Sequence, residues 1–162
     1  MKVKILEVDS DQLISAEIKK GDKKEMPSLA DGWSFNFNKH ILSKGKRVFV
    51  LVKEDTPTII EGCMIFSNHE FFGPFMDYLE VAPHNWGRNG KYKRIAGCLI
   101  AYACRLSFKE TIGAERGILT FKALLRMETR NDIWRIYTEP NIWLSRIRSV
   151  IWKYIVTKVR FL

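Results

Sequence analysis

The chain has 162 residues, enough for one domain with a sizeable core, and its 46% hydrophobic and 28% charged residues exclude a disordered polymer. A formal net charge of +9 directs attention to anionic partners, which include nucleic acid, acidic lipid and the phosphates of a nucleotide cofactor, without choosing among them. The three cysteines, Cys63, Cys98 and Cys104, are odd in number and sit in apolar runs, so a disulfide framework is not expected and a reducing compartment is. His40, His69 and His84 show no ligand spacing, and no metal site is expected. The opening MKVKILEVDSDQ reaches its acids too soon for a signal peptide, and no uncharged run approaches the ~18 residues of a membrane span. A cytoplasmic protein with no membrane span is the expectation.

In chain order, VKILEV reads as a first strand and is followed by a polar region, residues 9 to 33, whose helices have no clear bounds. RVFVLVKE from Arg47 and TIIEGCMIF from Thr58 are β-branched and aromatic runs on either side of the turn Asp55-Thr56-Pro57, which predicts an antiparallel hairpin in a well-covered sheet. FMDYLEV continues with an alternation that puts Phe75, Asp77, Leu79 and Val81 on one face and Met76, Tyr78 and Glu80 on the other. From Ile95 to about Lys109 the residues are apolar on nearly every side and then acquire charges, as in a helix whose first turns are buried against a sheet. GILTFKAL from Gly117 predicts another strand, and RMETRNDIWRIY another helix. The order strand, helical region, three strands, helix, strand, helix is that of one α/β or α+β domain.

The loop between the third of those strands and the helix at Ile95 carries Gly87, Gly90, Lys91, Lys93 and Arg94. A strand end, a glycine- and lysine-bearing loop and a helix start together aim backbone N–H groups and a positive helix end at one place, which suits a phosphate. Here the chain resembles the GNAT acyltransferase (N-acetyltransferase) superfamily. Val81-Ala82-Pro83 matches that family's strand end, Lys91 falls at its Arg or Gln position, Ala96 at its second small residue and Leu99 at its helix leucine. The loop is longer than the family's, and Arg94 stands where the family has its first glycine. The resemblance covers roughly Val48 to Tyr137 and implies a mixed, mostly antiparallel central sheet flanked by helices.

It also implies acetyl-CoA as cofactor and transfer of an acetyl group to the amine of a small molecule or peptide. Main-chain groups of Leu79, Val81 and Ala82 would meet the pantetheine arm, and Lys91, Arg94, Ile95, Ala96 and Gly97 the pyrophosphate. A carboxylate on the strand, Asp77 by preference or Glu80, would take the proton of the amine, the two being expected on opposite faces. Tyr137 would protonate the leaving thiolate.

The atypical part is the end. Residues 141 to 162 contain no acid, and Trp143, Ile147, Val150, Ile151, Tyr154, Ile155 and Lys158 recur at three and four, which predicts a basic amphipathic helix packed on the domain of residues 1 to 140 or on a second copy. Its Val, Ile, Tyr and Thr also suit a β-hairpin. In the alternative reading an inactive GNAT-like shell uses this tail to contact nucleic acid or a partner protein.

Overall fold

A computed structural model describes residues 1–112, 116–123 and 155–160. The chain opens with β1 (Lys2–Glu7) and β2 (Gln12–Lys20), passes two 3-10 turns and a short helix α1 (Phe37–Ile41), and continues with β3 (Lys46–Lys53), β4 (Ile60–His69) and β5 (Gly73–Val81). A loop containing the two-residue strand β6 (Tyr92–Lys93) leads to helix α2 (Ile95–Glu110), and β7 (Ile118–Ala123) and β8 (Ile155–Arg160) follow. These strands form one sheet in the order β6-β1-β2-β3-β4-β5-β7-β8. Every pair is antiparallel except β5 with β7. The fold is therefore mixed α/β with a mostly antiparallel sheet, and is compatible with a GNAT-like arrangement.

The strands expected at residues 47, 58, 75 and 117 and the helix from Ile95 are all present. Strand β2 lies inside the polar region where helices were expected. Its alternation is short but real: Ala16 and Ile18 are buried, with Ile14 packed beside them, while the residues between them are polar. Pairing with β1 from Lys2↔Glu17 to Glu7↔Gln12 satisfies its backbone. At the other end, Ile155–Arg160 is a strand and not the helix expected there; it pairs with β7 along its whole length. The β-branched residues of IVTKVR suit extended backbone, and they cover an edge that β7 would otherwise present. Residues 141 to 154 lie outside the described residues.

The sheet is buried on both faces, as the unbroken apolar run of β3 requires. Phe49 and Leu51 join Ile5, Met64, Phe66 and Leu99 in a core under α2. Val48, Val50 and Val52 pack with Trp33, Phe37 and Ile65 on the face that carries α1. Arg47 clamps the last turn of α2 to β3 through two hydrogen bonds to Glu110, one of 2.7 Å and one of 2.5 Å.

The start of α2 approaches the sheet through Gly62. A Cβ there would stand 2.5 Å from Ile95 Cγ2 and 3.0 Å from Leu99 Cδ1. Ile95 is β-branched and fully packed, so it has little room to withdraw. Gly62→Ala should accordingly destabilise the fold by about 1–3 kcal/mol, read as a fall of several degrees in Tm. An unchanged Tm would mean that the helix is not held this closely.

Candidate active site

Strand β5 is paired with β4 over almost its full length but with β7 only through Phe75↔Thr120 and Met76↔Phe121. From Asp77 to Val81 its outer edge has no strand partner among the described residues, which among them leaves a slot beside β5. The last peptide of the strand shows which groups face it. Ala82 N–H donates to the Glu61 carbonyl at 2.9 Å, toward β4. The Val81 carbonyl belongs to the same peptide unit and therefore points the other way, into the slot. There it accepts a 2.7 Å hydrogen bond from the indole Nε1 of Trp86, a half-exposed side chain on the following loop.

Asp77 sits at the vertex of the slot, on a β-bulge. The β4–β5 register passes from Ile65↔Tyr78 to Phe66↔Met76, leaving Asp77 as the extra residue. The inserted residue changes the alternation, and Asp77 and Glu80 lie on the same face, contrary to the sequence expectation. Asp77 accepts hydrogen bonds from Ser67 Oγ at 2.5 Å and Lys46 Nζ at 3.1 Å, and His69 Nε2 lies 3.8 Å away. Lys46 and Ser67 belong to the row that carries Val48 and Ile65, which is the α1 face.

Glu80 is on that face too, buried, accepting from the backbone N–H groups of Ser34 and Phe35 at 2.7 and 3.0 Å. Its carboxylate staples the Trp33–Phe35 loop to β5 and has no free face for a substrate. Around Asp77 the site is closed by Tyr78, whose ring centroid is 4.9 Å from that of His40. Burial and, secondarily, the Lys46 ammonium hold the His40 pKa below the usual imidazole value, with Asp77 acting in the opposite sense.

The loop after β5 is tied to itself rather than splayed open. Lys91 N–H donates to the His84 carbonyl, Tyr92 N–H to the Asn85 side chain, and Val8 N–H to the Lys91 carbonyl, which hooks the loop to β1. In the first turn of α2 the N–H groups of Ile95, Ala96 and Gly97 have no intrahelical acceptor, since the first intrahelical bond is Cys98 N–H to the Arg94 carbonyl. Gly97 is exposed, with nothing within 4 Å of where a Cβ would be.

Arg94 is exposed and is the helix N-cap, with φ +71°, in the left-handed region. The backbone thus adopts the conformation that a glycine would supply, and the arginine adopts it against the usual preference. Leu79 and Val81 are half-buried against the α2 core, Ala82 is buried, Ile95 is buried on Gly62, and Lys91 is exposed. Tyr137 lies outside the described residues.

One constellation was not foreseen. Glu61 is 2% exposed, and its Oε2 meets His84 Nε2 at 2.7 Å and Asn85 Nδ2 at 2.8 Å. The signal was a single acid inside the apolar run TIIEGCMIF, because a carboxylate enters such a run only with partners waiting for it. Among the described residues no three His, Cys, Asp or Glu side chains converge as a metal would need. No helix among them is long and apolar enough to cross a membrane. The cysteines are free; Cys63 and Cys104 are buried, and burial pushes the Cys104 thiol up to about 12.

No family model and no curated protein matches the chain. Among solved structures, the crystal structure of nourseothricin acetyltransferase is similar at a TM-score of 0.37 and 18% identity, over 50% of this chain. The likeness spans 42% of that chain.

Because Arg94 holds a left-handed backbone at a cost of about 1–2 kcal/mol, part of which glycine's larger unfolded-state entropy offsets, Arg94→Gly should be stabilising. The expected gain is about 0.5–1 kcal/mol, a rise of a few degrees in Tm. A fall in Tm would show that the arginine side chain contributes more than its backbone costs.

Proposed function

We propose that the protein is an acetyl-CoA-dependent N-acyltransferase that moves an acetyl group to an amine by direct attack. The observation that carries this reading is the open edge of β5, which runs from the Asp77 vertex toward the first turn of α2. A chain of amides such as the pantetheine arm can pair with exposed strand backbone as another strand would, and the open edge of Leu79 to Val81 offers that backbone. Ala82 contributes less than expected, its N–H being taken by Glu61. At the far end the N–H groups of Ile95, Ala96 and Gly97 suit a pyrophosphate, with Lys91 and Arg94 adding charge. When bound, acetyl-CoA supplies the acetyl group as an activated thioester.

The acceptor arrives largely as an ammonium and must lose a proton. Asp77 is the carboxylate placed for this, and its bond to Lys46 Nζ shows that it already holds one ammonium at 3.1 Å. An incoming amine would share or displace that partner, while Ser67 keeps the carboxylate oriented. Glu80, fixed by two main-chain donors, is assigned a structural role. Tyr137 is retained as the proposed acid, and a small-molecule or peptide amine as acceptor. The proposed setting is the cytoplasm.

Gly97→Glu is the sharpest variant. A carboxylate at the third residue of α2 favours the helix by about 0.3–1 kcal/mol, so folding should survive. The same charge repels a pyrophosphate. In a thermal-shift titration with acetyl-CoA, coenzyme A and an unrelated nucleotide, the native chain should respond to the two coenzyme-A ligands alone and the variant to none. A response that persists in Gly97→Glu, or one equally strong with the control nucleotide, would overturn the reading.

Trp86 competes for the Val81 carbonyl. Trp86→Phe, which removes a hydrogen bond of about 0.5–1.5 kcal/mol, should tighten coenzyme-A binding by roughly two- to tenfold in calorimetry. Weaker binding would mean that the indole contacts the ligand instead.

The Trp86–Val81 and Lys46–Asp77 bonds each occupy a group that the reaction needs, which favours the non-catalytic shell as second reading. Silence toward coenzyme A, together with salt-dependent nucleic-acid binding that is lost when residues 141 to 162 are removed, would establish it.

A further inference from the structure

The β3–β4 turn and the loop after β5 enclose a cleft of about 330 Å³ at the end of the sheet, separate from the slot beside β5. Lys53, Thr56 and Ile59 line it from the turn, and His84, Lys91 and Tyr92 from the loop, with Glu61 at its floor. The Glu61 carboxylate accepts hydrogen bonds from His84 and Asn85, which hold it against the loop. Its bond to Nε2 also holds the His84 ring at the cleft with Nδ1 turned away from the acid.

Two ammonium groups lie beside one ring of the lining. Lys53 Nζ is 5.3 Å and Lys91 Nζ 5.4 Å from the centroid of the Tyr92 ring. Tyr92 is buried in the α2 core and cannot drift, so both cations are drawn to a fixed point. The acid nearest to them, Asp55, is 3.3 Å from Lys53, but its side chain is 74% exposed and its pull is weakened by water. Thr56 Oγ1 adds the independent observation. This oxygen is buried and has no hydrogen-bond partner among the described residues, a state that costs free energy until something completes it. Rotation of the hydroxyl toward an oxyanion in the cleft would give it one.

We infer that this cleft is a binding site for the phosphate group of a small molecule. Two point charges and a hydroxyl lining one cleft suit a tetrahedral oxyanion, whose several oxygens can meet each of them; a planar carboxylate has only two. Lys91 is shared with the charge proposed for coenzyme A, but Lys53 and Thr56 belong to the turn alone and the amides proposed for coenzyme A belong to α2, so the turn variants test this cleft independently of acyl transfer.

The test is a titration of the full chain with inorganic phosphate at constant ionic strength, followed by amide and histidine-ring NMR shifts, with acetate as the control. Saturable shifts at Thr56, His84, Lys91 and Tyr92 are expected with phosphate and not with acetate. Lys53→Met and Lys91→Met should each weaken binding by about tenfold or more. Thr56→Val keeps the shape and removes the orphan hydroxyl, so its ligand-free Tm should rise while the phosphate-induced gain in Tm shrinks. Shifts confined to Ile95–Gly97, an equal response to acetate, or unchanged phosphate binding in the lysine variants would overturn the site. So would a Thr56→Val chain that keeps the full phosphate-induced gain.

Discussion

Strand β5 has two edges with different fates, and the rest of the molecule follows from that. One edge is hydrogen-bonded to β4 nearly throughout; the other meets β7 at Phe75 and Met76 and beyond them has no strand partner among the described residues. Parallel pairing needs a long crossover, and here α2 provides it. That helix begins where Gly62 lets Ile95 settle onto β4 and ends where Arg47 clasps Glu110. Held at both ends, α2 brings β7 back to the start of β5 but not to its finish. The free edge is therefore a product of where the helix is anchored.

Elements whose apolar residues repeat in a simple period were legible in the sequence. VFVLV could only be a strand covered on both faces, and the stretch from Ile95 could only be a helix with a buried start. Strand β2 escaped because its inward side consists of small or isolated residues, Ile14, Ala16 and Ile18, among lysines and glutamates. Here pairing with a neighbour, rather than intrinsic pattern, decides the structure.

The site was legible in composition but not in geometry. Counting by twos puts Asp77 and Glu80 on opposite faces, whereas one bulged residue resets the alternation and nothing local in FMDYLEV announces it. Arg94 looked like a defect in a glycine motif. Its φ of +71° shows that the backbone there takes the left-handed shape that glycine favours although the residue is an arginine. The long loop is likewise resolved by its partners: Gly90 packs so closely on Asn85 that a Cβ would overlap its carbonyl group, and Asn85 in turn bridges Glu61 and Tyr92. Only the assembled loop shows that the amides of Asn85, Trp86, Lys91 and Tyr92 are already spent.

Three buried or nearly buried carboxylates, Glu61, Asp77 and Glu80, show how the same charge takes different roles. Glu80 accepts hydrogen bonds from main-chain N–H groups, which do not leave, so it is a fixed strut. Glu61 accepts from a histidine and an asparagine and becomes the support of a loop. Asp77 alone is held by a mobile ammonium, Lys46, whose side chain is a quarter exposed. An exchangeable cation on a carboxylate at the vertex of a slot is the arrangement that an incoming amine could enter without dismantling the fold. Drawing these acids inward also leaves the lysines and arginines of a +9 chain less balanced at the surface. The resulting field favours anions at both the α2 terminus and the Lys53–Lys91 cleft, and the local geometry, not the net charge, then determines which anion each can hold.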